Sequence, residues 1–139
     1  MSTLDNQLFI DAVIVKGIGR TLSVSIEQAK EDGTGFEPFY LDNYSIRFRV
    51  LGSADGAGTV LIEKIITHDS EQDTIGKIDA YESGEFTFTV TAEETEMLGL
   101  GARPISIEIV NPDTLENVYT LTEGGSNQGE FSKIVIVRP

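Results

Sequence analysis

The chain has no cysteine, no tryptophan, one histidine and no apolar run near the length of a membrane span. Without cysteine there is no disulfide framework, no thiolate zinc site and no thiol nucleophile. The lone histidine, His68 in "THDSEQDTIG", leaves a Ser-His-Asp triad and a two-histidine metal site short of parts, so it reads as a surface-loop residue. The missing tryptophan counts against a carbohydrate platform. Basic residues are also scarce: 10 Lys and Arg face 23 Asp and Glu, for a formal charge of −13. That field repels phosphate backbones and anionic head groups, so neither nucleic acid nor membrane is expected as a partner. The start "MSTLDNQLF" has neither the basic nor the apolar region of a signal peptide, and the expectation is a protein that stays where it is made.

What the 139 residues do contain is period-two alternation. Strands are expected at Leu8–Val15, in "RTLSVSIEQ" with Leu22, Val24 and Ile26 on one face, and in "NYSIRFRVLG" with Tyr44, Ile46, Phe48 and Val50 inward. "TVLIEKIIT" is apolar on both faces, as in a strand covered twice or lying partly at an interface. Further strands follow in "IGKIDAY", in "EFTFTVT" with Phe86, Phe88 and Val90 inward, in "RPISIEIV" with Ile105, Ile107 and Ile109 inward, in "VYTLT" and in "FSKIVIVRP". "NPDTLEN" has hairpin-turn chemistry, while "GSADGAG" and "TEGGSNQGE" read as a turn and a loop. After Val90 the composition changes to "TAEETEMLG". Thr91 suits an N-cap, Glu93 and Glu94 the positive helix end, and Gly99 a stop, so a corner is expected, with Met97 and Leu98 capping one end of the domain. The fold class expected is all-β: an antiparallel immunoglobulin-like β-sandwich of seven to nine strands with one short helical turn near residues 91–98. Residues 1–19 form an N-terminal arm plus first strand, and 20–139 the sandwich, as one domain.

No catalytic, cofactor-binding or metal-binding residue is assigned, and no cofactor is expected. Asp69, Glu71 and Asp73 alternate like the start of a calcium loop, but the glycine of the tight turn and the closing glutamate are absent. "GIG" at Gly17–Gly19 and "GLG" at Gly99–Gly101 lack the strand-then-helix context of a dinucleotide fingerprint and read as turns. The carboxylate pairs Glu82/Glu85 and Glu93/Glu96 could serve a glycosidase, yet any acidic β-domain offers such pairs. Phe36, Phe39 and Tyr40 either fold over the sandwich edge or form a patch for a partner.

The succession "RTLSVSIEQ", "DGTGFEPFYLDNYSIRFRVLG", "GKIDAYESGEFTFTVTAEETEML", "RPISIEIVNPDTLENVYTL" and "FSKIVIV" resembles the immunoglobulin-like N-terminal domain of tailed-phage baseplate upper proteins and related virion proteins. Leu41-Asp42 precedes the Tyr44–Val50 strand and Gly84-Glu85-Phe86 the helical turn, as in that family, from about Arg20 onward. The resemblance implies a non-enzymatic, self-contained virion component: a capsid decoration, collar, or tail or baseplate adaptor protein, made in the host cytoplasm and present in several symmetric copies among other virion proteins. Contact segments would be Met1–Gln7, Gly33–Tyr40, and the strands Val60–Ile66 and Ile134–Val137 through exposed edges. A glycan- or cell-surface-binding module is the alternative, and a hydrolase built on a carboxylate pair a third.

Overall fold

Alternating apolar and polar residues fold here into strands whose apolar halves meet between two sheets. A computed structural model describes residues 10–52, 59–122 and 132–139. In chain order the elements are β1 (Asp11–Val15), β2 (Arg20–Ser25), β3 (Glu27–Ala29), β4 (Phe36–Pro38), β5 (Ser45–Leu51), β6 (Val60–Ile66), β7 (Ile78–Ala80), a 3-10 turn (Tyr81–Ser83), β8 (Glu85–Val90), α1 (Ala92–Leu98), β9 (Gly101–Val110), β10 (Asn117–Thr122) and β11 (Lys133–Val137). One sheet runs β1-β11-β9-β5-β6 with β10 also on β9, a second runs β2-β8-β7, and β3 with β4 forms a separate ribbon. This is the all-β, immunoglobulin-like sandwich with its short helix at the expected place. Ile46, Phe48 and Val50 of β5, Ile105, Ile107 and Ile109 of β9, and Phe86, Phe88 and Val90 of β8 are fully buried between the sheets. The Phe48 and Phe88 rings, 4.6 Å apart, join the two layers.

Both β5 and β10 pair with Ile107–Val110, so they flank β9 on opposite sides. The Ile107 N–H donates to Thr122 Oγ1 on the β10 side, and the Ile105 N–H, of the same parity, donates to the Ser132 carbonyl. Among the described residues β10 and β11 therefore share one lane along β9. Counting β10 and β11 apart, together with the three-residue strands, gives eleven strands among the described residues, above the seven to nine expected.

Other expectations are corrected. The sandwich is not wholly antiparallel: β1 pairs with β11 in parallel, because β1 must run toward the end at which the chain crosses to β2. β11 has no free edge, since β1 and β9 take its two sides and Ile134 and Ile136 are buried. Met97 does not cap the core. In a seven-residue helix Thr95 and Leu98 share the inner face, which leaves Met97 62% exposed. The start of the first strand at Leu8, the arm Met1–Gln7, residues 53–58 of the turn, and 123–130 of the loop lie outside the described residues.

Two connections mark one end of the sandwich. Thr91 and Glu94 form a capping box: Thr91 Oγ1 accepts from the Glu94 N–H at 3.2 Å and Glu94 Oε1 from the Thr91 N–H at 2.9 Å. Beside α1 lies the β1–β2 turn, tied down by the Gly17 N–H donating to Thr95 Oγ1 at 2.8 Å. The other end carries the β3–β4 ribbon, residues 39–44, and the β9–β10 turn, where Asn111 Oδ1 accepts from the Asp113 N–H.

Thr87 and Thr89 alternate with the inward residues of β8 and yet are buried, because residues 71–77 fold over that face. Thr89 Oγ1 donates to the Gln72 carbonyl, and the Lys77 N–H donates to Thr87 Oγ1. Gly76 allows the close approach, with φ +116° and a Cβ position that would fall 2.1 Å from the Thr87 carbonyl oxygen. Gly76→Ala is expected to cost about 2 kcal/mol or more by combining strain with displacement of the covering loop. A denaturant midpoint equal to that of the parent would show that the loop does not pack this way.

Candidate functional site

In β6 the residues Ile62, Lys64 and Ile66 share the inward parity, so a lysine enters the interior with two isoleucines as neighbours. Lys64 is 8% exposed. Its ammonium donates to the Thr74 carbonyl at 2.6 Å, to the Thr89 carbonyl, and to Glu94 Oε1 at 2.6 Å. All three ammonium hydrogens are thus used, and the side chain joins β6, the covering loop, β8 and the helix cap. Glu94 serves both the cap and the ion pair through one oxygen. A lysine so engaged is a strut rather than a nucleophile. In sequence this segment reads as apolar on both faces with its register open; the parity Lys64 shares with Ile62 and Ile66 was the available signal that the lysine faces inward.

β6 is also an edge. Among the described residues it pairs with β5 alone. Lys64 leans under residues 71–75, but the half nearer α1 is bare: Val60 and Leu61 are each 41% exposed. The Val60–Ile66 segment singled out from sequence is therefore an open strand edge, while Ile134–Val137 is not.

The Gly33–Tyr40 segment divides. Phe39 is buried, packed at 5.7 Å ring distance against both Tyr44 and Tyr119, whereas Phe36 and Tyr40 are about half exposed, 52% and 51%. Phe39 thus folds over the sandwich edge, one of the two alternatives for this aromatic cluster, while Phe36 and Tyr40 stay exposed. Gly84 lets the ribbon base approach β8: the Ile26 N–H donates to the Gly84 carbonyl and the Phe39 N–H to the Ile26 carbonyl. At the tip the Thr34 hydroxyl and then its N–H donate to Asp32, holding that carboxyl below the usual range.

The remaining candidates do not assemble into a chemical centre. His68 sits at the surface, stacked on Tyr81 with centroids 5.0 Å apart and 3.7 Å from an Asp69 carboxylate that is 99% exposed. Among the described residues no three His, Asp or Glu side chains are grouped to hold a metal, so Asp69, Glu71 and Asp73 do not converge. Glu82 lies in the 3-10 turn and Glu85 begins β8; Glu96 pairs with Lys16 at 3.7 Å and Glu93 lines an open groove of 370 Å³ with Ile18, Arg20, Asp73 and Thr91. Gly17–Gly19 forms the β1–β2 turn, and Gly99–Gly101 joins α1 to β9. Among the described residues no helix is long and apolar enough to cross a membrane. No protein-family model matches the chain, and no curated protein matches it in sequence.

Proposed function

We propose that the chain is a non-enzymatic structural component of a bacteriophage virion, a decoration, collar, or tail or baseplate adaptor protein that acts by protein–protein contact. The observation that carries this is the bare half of β6. An open edge with two exposed apolar side chains invites pairing, and it is tolerable where a partner covers it. The exposed Phe36 and Tyr40 add a second contact surface at the far end. The order of strand, turn and helical-corner motifs from Arg20 onward, which resembles that of phage virion domains, supplies the setting.

The test is quantitative mass spectrometry of density-purified particles from a lysate that produces the chain. The expected result is a fixed ratio of this chain to the major virion protein that survives a high-salt wash. Val60→Asp with Leu61→Lys should lower incorporation at least roughly tenfold while leaving the melting temperature nearly unchanged. Absence from washed particles would overturn the proposal, and saturable binding of one glycan by the monomer would put the glycan-binding module in its place.

A further inference from the structure

β3 and β4 form a ribbon that pairs with no other strand among the described residues. Its register sets Ala29 opposite Phe36 and Glu27 opposite Pro38, so these side chains share one face. Alternation continues to Tyr40, since its neighbours Phe39 and Leu41 turn inward and are buried. The outer face is therefore apolar but for Glu27, and bare: Phe36 is 52% exposed, Tyr40 51%, and Pro38 lies open between them.

Carboxylates rim this face. Glu27, Glu31, Asp32 and Glu37 belong to the ribbon, and Asp42, Glu82 and Glu85 stand at its base, where the Leu41 N–H donates to the Tyr81 carbonyl and the Ile26 N–H to the Gly84 carbonyl. Lys30 is the one Lys or Arg among them. Arg47, on the outer face of β5, is held by Glu108 and the Leu115 carbonyl. Residues 1–9, 53–58 and 123–131 contain no Lys or Arg, so no other segment of this chain supplies the missing cations. Nor does a second copy present a cationic surface. The α1 end balances Lys16, Arg20, Arg103 and Arg138 against Asp73, Glu93, Glu94 and Glu96, and Arg49, Lys64 and Lys133 each have a carboxylate partner.

We propose that the outer face of the ribbon docks an arginine- or lysine-bearing segment of a different protein, its cationic side chains lying over the Phe36 and Tyr40 rings and meeting the surrounding carboxylates. This rests on the structural-component function above and names the chemistry of one neighbour. The rings provide contact area, and the carboxylates select the sign of the partner. Arginine suits both, because its guanidinium stacks on an aromatic face and pairs with a carboxylate through its edge.

Fluorescence anisotropy of a labelled peptide alternating arginine and serine, titrated with the intact protein, tests this. Saturable binding with a Kd of about 0.1 mM is expected, weakened about tenfold or more between roughly 0.05 and 0.5 M salt, and absent for a counterpart alternating glutamate and serine. Phe36→Ser with Tyr40→Ser keeps every charge and should weaken binding at least roughly fivefold. Glu27→Gln with Glu31→Gln should weaken it about as much, while Glu93→Gln with Glu96→Gln, the same change of charge at the α1 end, should leave it within about twofold of the parent. All six positions are exposed, so thermal midpoints should stay within about 2 °C of the parent. No binding up to about 10 mM, binding indifferent to salt, equal loss from both glutamine pairs, or parental affinity without the two rings would each overturn the docking surface. Self-association of the parent that disappears with Phe36→Ser and Tyr40→Ser would overturn it too, by making the occupant a second copy. A chain fixed in washed particles that ignores the peptide removes this surface alone, whereas one that binds the peptide at the ribbon but is absent from particles removes the virion assignment alone.

Discussion

Lys64→Ala is expected to destabilise the domain by about 3–5 kcal/mol, the range for breaking a buried ion pair by removing one partner. The substitution leaves Glu94 beneath the strand without its cation and takes the donor from the Thr74 and Thr89 carbonyls. Glu94→Gln separates the two tasks of that carboxylate. A glutamine oxygen can still accept from the Thr91 N–H, so the cap persists while the ion pair is lost; Glu94→Ala removes both and should cost about 1 kcal/mol more than the glutamine. The double variant Lys64→Met, Glu94→Gln should be less destabilised than the sum of its singles, because no buried charge is left alone. Urea unfolding of the parent, Lys64→Met, Glu94→Gln and the double variant measures this cycle. Strict additivity would mean that the side chains do not interact, and that β6 is held against the second sheet by apolar packing alone.

That strut is also where sequence reading reached its limit. β5, β8 and β9 were legible because one face of each is wet or covered only by a neighbouring segment, so alternation survives in the sequence. The corner at Thr91–Gly99 was legible because capping is local chemistry, complete within four residues. β6 was legible as a strand apolar on both faces, but not in its register: Ile62 and Ile66 give Lys64 an inward parity that the equally apolar Leu61 and Ile65 offset until its tertiary acceptors are known. The parallel pairing of β1 with β11 was equally hidden: it joins residues at opposite ends of the chain, and no local pattern encodes which lane an end strand enters. For the same reason Ile134–Val137 read as an exposed edge when a strand more than a hundred residues away covers it. Contact surfaces were half legible. The exposed aromatic ribbon and the β6 edge lie in segments marked by their residue types, but which strand edge stays open depends on strand order and emerges only once the strands are placed.

Phe88→Ala should cost about 3–5 kcal/mol, a large part of the roughly 5–15 kcal/mol that separates folded from unfolded domains. Phe88 is fully buried and its ring meets Phe48 across the two sheets at 4.6 Å and 31°, so truncation opens a cavity at the joint between the layers and removes the ring contact. Phe48→Ala should do comparable harm, and the double variant should lose less than the sum, by the roughly 0.5–1.5 kcal/mol that an aromatic pair contributes beyond its area. Additive losses would show that each ring packs against its own sheet and that the layers are joined elsewhere.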